Sequence, residues 1–252
     1  LSDIIGDISQ LLSGPDFDPG SASGEITLAL SEHVGLTLLP RLIAELSGLA
    51  PRLSVRVITR IENQLEALAL GNLDFAIQIE QAHYSNDFRV ERLGGSPLAI
   101  LVREDHPLTG RELTRERLSL FPAIRLYAST QEQFEFQQNT GITLNFADHP
   151  LATLEISHLL TALELLRQSD YFMPAPAYII QQEGVSTGIT GLPLPREAEL
   201  HIHHALVAHK RTSNSPLHNW LWERITCTIR DLRPTPQRKL RQRITAGSAD
   251  MR

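Results

Sequence analysis

One cysteine, Cys227, in 252 residues excludes an internal disulfide and a cysteine-rich zinc site, and it suits a reducing compartment. Long apolar runs are missing too. None reaches the ~20 residues that a membrane helix needs, because Glu, Arg or Gly breaks the longest of them. Leu1-Ser2-Asp3 offers no basic n-region, and no apolar stretch with a small-residue cleavage site follows. No secretory leader is therefore expected, and the location expected is cytoplasmic. No Gly-x-Gly-x-x-Gly follows a strand and no Gly-x-x-x-x-Gly-Lys occurs, so nucleotide cofactors have no support and no cofactor is expected. The Gly-x-Ser-x-Gly elbow of many hydrolases is also absent. Positive charge is scarce outside one segment. Residues 233–252 hold six Lys and Arg against one Asp, a charge of +5 within a net −6, which leaves −11 for residues 1–232. A body that acidic is a poor nucleic-acid binder by itself.

What is present is an ordinary globular composition, 42% apolar and 21% charged, on a chain long enough for one large domain or two small ones. Ile4, Ile5, Ile8, Leu11 and Leu12 form the stripe of an amphipathic helix that Gly14-Pro15 stops, and a turn-rich linker follows to Gly24. That helix is either the end of a longer interdomain helix or a packed N-terminal one. From Glu25 onward, strand and helix alternate. Strands are predicted at Ile26–Ser31, Leu53–Ile61 and Asp74–Ile79, with helices over Val34–Leu49 and from an Asn63 cap to Leu70, closed by Gly71-Asn72. Such a βαβαβ run implies a parallel sheet with right-handed crossovers. Leu98–Arg103 reads as a further strand.

A second series begins at Phe121-Pro122. Strands are predicted at Ala123–Leu126, Leu144–Phe146, Tyr171–Met173, Ile189–Leu194 and Ile202–Ala208. Helices are predicted at Thr130–Asn139, Ala152–Arg167, Tyr178–Gln182 and Pro216–Leu232. Two α/β units, each too small for the whole chain, suggest two lobes around a cleft. The basic tail beyond Pro234 has few apolar residues and is read as disordered.

Ligands of open parallel sheets sit outside the carboxyl ends of the strands, where helix N-terminal amides are free. Ser31, Glu32 and His33 lie there, the alternative for Ser31 being a helix cap only. As sequence neighbours they point in different directions and are not expected to form a catalytic relay. His201 and His203 share a strand face, but no third ligand stands at metal-binding spacing, so they read as surface residues and no metal is expected.

Several segments together resemble a known family. These are Phe17-Asp18-Pro19, Ile26–Glu32, Leu38-Leu39-Pro40-Arg41-Leu42, Leu68–Ile77 ("L-x-x-G-x-L-D-hydrophobic-A-I") and Val102–Leu108 ("V-x-x-x-H-P-L"). In order and spacing they look like the effector-binding part of LysR-type transcriptional regulators. Ser169-Asp170-Tyr171-Phe172-Met173-Pro174 departs from the family's common form toward that of its nodulation-regulator-like subset. The resemblance implies two Rossmann-like lobes around a cleft, as in periplasmic binding proteins, behind a winged helix-turn-helix and a long linker helix. This sequence holds no helix-turn-helix, so it looks like the regulatory fragment alone, with residues 2–12 the end of the linker helix.

The expected organisation is linker in 1–23, first lobe in 24–120 and 203–232, second lobe in 121–202, and tail in 233–252. The resemblance implies effector contacts at Ser31, Glu32, His33, Arg60, Ile61, Arg125, Tyr127, Leu154, Ser157 and Tyr171. An arginine there would suit a carboxylate, since its guanidinium can hold both oxygens, though Arg125 could instead be exposed or ion-paired. The function implied is sensing of a small aromatic or acidic effector, without catalysis. The partners implied are that effector and a second copy, as a homodimer or tetramer. DNA would be bound only through the absent domain, RNA polymerase would be a partner of the full-length protein, and no membrane would be involved. A solute-binding receptor feeding a transporter is the alternative.

Overall fold

The computed structural model describes residues 17–134, 150–182, 184–185, 187–194 and 200–232. The helix expected in 2–12, the strand in 144–146, the later part of the 130–139 helix and the basic tail lie outside the described residues.

Nine strands and five helices carry the fold among those residues. In chain order they are β1 (Ser23–Leu30), α1 (Glu32–Leu49), β2 (Arg52–Ile58), α2 (Gln64–Leu70), β3 (Phe75–Ile79), β4 (Phe88–Arg103), the single turn α3 (Arg115–Leu118), β5 (Ala123–Leu126), β6 (Thr153–Ile156), α4 (Leu159–Arg167), β7 (Met173–Pro176), β8 (Ile189–Pro193), β9 (His201–His209) and α5 (Pro216–Leu232). Residues 130–134 are also helical, and Ala177–Gln181 forms a 3-10 turn.

β1 pairs in parallel with β2 and β3, as the βαβαβ pattern requires, and β3 continues antiparallel to β9. Alternation along these strands serves both sheet faces. Leu28, Leu30, Phe75, Ile77 and Leu206 point to a core closed by Leu38, Leu42 and Leu46 of α1 and by Leu221, Trp222 and Ile225 of α5. Ala29, Ala76, Ala205 and Val207 point the other way, onto Leu68 and Leu73. α1 therefore uses its i, i+4, i+8 leucines as the sequence pattern implies, and truncating any one to Ala would cost roughly 2–5 kcal/mol.

β4 joins the two lobes. Its first part pairs with β9 from Phe88↔His209 to Pro97↔His201, with a register shift between Arg92 and Gly94. Its second part pairs with β7 and β8, from Leu98↔Pro176 to Arg103↔Ile189. Leu98–Arg103, within the stretch 24–120 expected as first lobe, thus pairs with strands from the stretch 121–202. The ten residues before it, not predicted as strand, extend β4 back to Phe88 because β9 supplies a partner. β5 and β6 form a separate parallel pair. Ile124, Leu159, Ala162, Leu163, Leu166, Met173 and Ile179 build the second core.

Two expectations are corrected. Ala152–Arg167 is not one helix: Thr153–Ile156 pairs with β5, and helix begins only at Leu159. Asn63 does precede α2, but with φ 52° and without a side-chain capping bond.

Candidate functional site

The carboxyl ends of β1, β2 and β3 in the first lobe face the ends of β5 and β6 in the second. Ser31 follows β1 at the N-cap of α1, but its hydroxyl caps nothing and lies 3.1 Å from His33 Nε2. The strand-to-helix turn folds Ser31 and His33, two residues apart, together, while Glu32 between them bonds elsewhere. Glu32 turns away from both. Its carboxylate accepts a hydrogen bond from the backbone N–H of Leu159, the first residue of α4. That amide has no partner within the helix, and a carboxylate there complements the helix dipole.

A second bridge starts from the loop after β2. The Arg60 guanidinium stacks 4.3 Å over the Tyr127 ring. Glu62 accepts from the Tyr127 hydroxyl and, at 3.0 Å, from the Thr130 amide. Ile61 packs beneath with the Ala29, Leu68 and Leu73 cluster. Glu132 belongs to the second lobe, and its carboxylate accepts from the Ser129 amide at 2.9 Å and hydroxyl at 3.0 Å, while the Glu132 amide donates back to Ser129 at 3.2 Å. This is a capping box. Burial pushes the Glu132 carboxyl above its ordinary range, and the nearby Glu62 charge adds to that, against hydrogen bonds from Ser129 and the Ile79 backbone.

His33 also meets Tyr178 of the 3-10 turn and His204 of β9, with ring centroids 6.0 and 5.8 Å apart. Burial, and then the His204 charge, lower the His33 imidazole to about 3. Burial, and then His203, lower His204 to about 4, so both rings are neutral at neutral pH. The Tyr178 hydroxyl is buried with no hydrogen-bond partner among the described residues. His201 and His203 are exposed on β9.

Of the other residues expected at the site, Arg125 is ion-paired with Glu155, its register partner on β6, and donates to Gln133 Oε1 at 3.4 Å. Leu154 is exposed on β6, and Ser157 stands between β6 and α4. Tyr171 packs against the second-lobe core. Glu62, Tyr178 and His204 were not singled out from sequence, because their partners lie on the other lobe or on a distant strand. Glu132 did carry a sequence signal, the Ser-x-x-Glu spacing of the capping box. The open cavity of about 590 Å³ along Arg103, Glu164, Arg167 and Thr187 lies elsewhere on the second lobe. No described helix is long and apolar enough to cross a membrane.

The motifs behind the resemblance hold structure. Leu68 and Leu73 are buried, Gly71 closes α2 at φ 85°, and Asp74 accepts from the Thr27 amide at 2.8 Å and from His218 Nε2 at 2.9 Å. His106 is buried, accepting from the Leu108 amide through Nδ1 (3.0 Å), so its Nε2–H donates to the Asp170 carbonyl (3.1 Å). Phe17 packs at a tilt against Trp220 of α5, with ring centroids 5.9 Å apart.

Comparison with known proteins agrees with this architecture. The chain is 24% identical over 205 residues to the HTH-type transcriptional regulator SyrM of Rhizobium meliloti (strain 1021), covering 81% of this chain and 61% of that protein. It is 25% identical over 183 residues to the HTH-type transcriptional activator NahR of Pseudomonas putida, covering 71% of this chain and 59% of that protein. It therefore spans about 60% of the length of these relatives. The regulatory domain of MexT, a transcriptional activator in Pseudomonas aeruginosa, superposes with a TM-score of 0.62 at 20% identity, over 81% of this chain and 100% of that one. The regulatory domain of MetR, a LysR family regulator from N. meningitidis, gives 0.64 at 15%, over 82% and 94%. The fold is thus the two-lobed α/β fold of these regulatory domains, and a transport receptor is not favoured. The LysR substrate binding domain model matches residues 19–229, and the chain belongs to that family.

Proposed function

We propose that this chain is the effector-sensing part of a LysR-type transcriptional regulator, taking a small molecule between its lobes and acting without catalysis. The observation that carries this reading is the polar joint between the lobes, where Glu32 reaches Leu159 and Glu62 reaches Tyr127 and Thr130. Groups that hold the lobes together at the strand ends are also groups that a bound molecule can re-partner. A ligand binding one arrangement of the lobes better than another shifts their equilibrium. DNA recognition, any contact with RNA polymerase, and a cytoplasmic location belong to this proposal for the protein of which the chain is part.

The first lobe holds β1–β3, β4 up to Pro97, β9 and α5; the second holds the rest of β4, β5–β8 and α4. The contact set read from the resemblance is kept as the proposed site, with Ser31, Glu32, His33, Arg60 and Ile61 on one wall and Tyr127, Leu154 and Ser157 on the other; Tyr171 is left out of it, because the next residue, Phe172, pairs with Ala123 at the start of β5, the end away from the cleft. Arg125 joins it only by exchanging Glu155 for a ligand. Self-association as a dimer or tetramer is supported by the apolar residues left exposed on α1 and α4.

A thermal-shift screen of small aromatic and acidic compounds tests the reading, with hits mapped by Ser31→Ala and Ser157→Ala. Hits whose affinity falls several-fold in both variants support it. Hits indifferent to both place the site elsewhere.

A further inference from the structure

We propose that Ser215 is a nucleophile, activated by His218 and positioned by Asp74, that takes the acyl group of small esters. The site stands apart from the cleft. Asp74 precedes Phe75 at the amino end of β3, whereas the cleft lies at the carboxyl ends of the strands. Effector sensing needs no catalysis, and this inference goes beyond that reading without resting on it.

The three side chains form one relay. Ser215 Oγ lies 2.8 Å from His218 Nδ1, and His218 Nε2 lies 2.9 Å from Asp74 Oδ1. Asp74 sets the direction of the protons. Burial raises its carboxyl, but hydrogen bonds from His218 and Thr27 and the charges of His218 and Arg211 outweigh this, so at neutral pH it only accepts. In the neutral ring Nε2 therefore carries the proton, Nδ1 is left as the acceptor, and the Ser215 hydroxyl donates to it. A hydroxyl on an imidazole whose far nitrogen is held by a carboxylate is the arrangement that activates serine nucleophiles. Geometry defines it, so the missing Gly-x-Ser-x-Gly elbow does not bear on it.

The surroundings suit the step. Ser215 precedes α5 and is half-buried beside the exposed Pro216, so the hydroxyl stands at a surface turn open to short acyl chains. Its oxygen accepts weakly from the His218 amide at 3.4 Å, which leaves a second lone pair for attack. Pro216 has no N–H, and the Leu217 amide has no partner among the described residues. That amide and the dipole of α5 favour the negative charge that develops beside Ser215. In the step, the Oγ–C bond forms as the ester C–O bond breaks. The hydroxyl proton passes to His218 Nδ1 and then to the leaving alcohol oxygen, while Asp74 stays ionised and supports the imidazolium.

The probes are p-nitrophenyl acetate and a fluorophosphonate, and peptide mass spectrometry locates what they modify. In the parent chain one or both should modify Ser215. His218→Gln removes the base and should slow that labelling at least about hundredfold. Asp74→Asn tests positioning. The Thr27 amide, 2.8 Å from Asp74 Oδ2, holds the Asn oxygen, so the Asn NH2 faces Nε2 and turns the ring to its Nδ1–H tautomer. Nitrogen NMR of the His218 ring should show that exchange, with labelling falling alongside. Ser215→Asp keeps a helix cap without a nucleophile, and should hold the parent's unfolding midpoint while the label on this turn is lost. A folded parent whose Ser215 neither probe modifies, or labelling as fast in His218→Gln as in the parent, would overturn the inference. The three side chains would then only cap α5 and tie it to β3.

Discussion

Glu32 and Leu159 are 127 residues apart in sequence, yet the carboxylate of one accepts the backbone N–H of the other across the two lobes. Glu62 and Thr130 repeat the arrangement at 3.0 Å. In both pairs a first-lobe carboxylate at a strand end satisfies an amide that opens a second-lobe helix. The lobes are therefore coupled by charge-assisted hydrogen bonds, which are directional and exchangeable, as well as by packing such as Leu36 against the second-lobe core.

Glu32→Ala should loosen this joint. Hydrogen bonds to charged groups contribute about 1.5–3 kcal/mol, and the partly exposed position puts the expected loss near the lower end of that range. Amide hydrogen exchange at Leu159 and the following turn should speed up, while exchange in β1 stays as it was. Unchanged exchange at Leu159 would show that the pair does not hold the lobes.

Stability should fall as the solution is acidified from neutrality. His33 and His204 have folded values of about 3 and about 4 against an ordinary 6.5, so below 6.5 the unfolded chain binds protons that the folded chain refuses. Each imidazole then contributes a slope of at most about 1.4 kcal/mol per pH unit, which stops once pH passes its folded value. Asp74 extends the trend at lower pH. Burial raises it, but the hydrogen bonds from His218 and Thr27 and the charges of His218 and Arg211 outweigh this and leave it below 3.8. The stability it supplies is present above 3.8 and is lost as pH falls through its folded value. Urea unfolding at a series of pH values, with His204→Gln reducing the slope between pH 6.5 and 4, checks the assignment.

Helices whose apolar stripe is local in sequence were legible. α5 runs from Pro216 to Leu232 as its pattern predicts, with Leu221 and Ile225 in the core. Structure that depends on a distant partner was not. Thr153–Ile156 carries a helix-compatible pattern and becomes a strand because β5 offers it a ladder, and the first part of β4 exists because β9 lies beside it. The site divides in the same way. The strand-end rule singles out Ser31, Glu32 and His33 from sequence alone, whereas the contacts of Tyr178 and His204 with His33 come from segments far away in the chain.

Gly71→Ala should destabilise the first lobe. A side chain at φ 85° is disfavoured by about 1 kcal/mol, and its Cβ would lie 3.0 Å from the Arg211 guanidinium. Arg211 donates from there to the carbonyls of Leu68 (3.2 Å) and Leu73 (3.4 Å), bonds that a displaced guanidinium gives up. A total loss of about 1–3 kcal/mol is expected by urea unfolding. Arg211→Ala removes the steric conflict but not the dihedral cost, so the double variant should lose less than the two single losses added together. Strict additivity would mean that the glycine and the arginine are independent.

Self-association should run through apolar side chains that the lobes do not use for themselves. Leu36 and three leucines of α4, Leu159, Leu163 and Leu166, are engaged in the second core. Ile43 and Leu49 on α1, and Leu160 and Leu165 on α4, remain 40%, 45%, 55% and 37% exposed. Burying a leucine-sized side chain is worth about 1.5–3 kcal/mol, so placing a charge at one of these positions should weaken an interface through it by about ten- to a hundredfold. Sedimentation at tens of micromolar should give a dimer or larger for the parent chain and a shift toward monomer for Leu160→Glu and Ile43→Glu. Both variants should keep the parent's unfolding midpoint at a concentration where all three are monomeric, since neither side chain belongs to a core. A parent that sediments only as monomer, or an oligomer indifferent to both charges, would remove α1 and α4 from the interface.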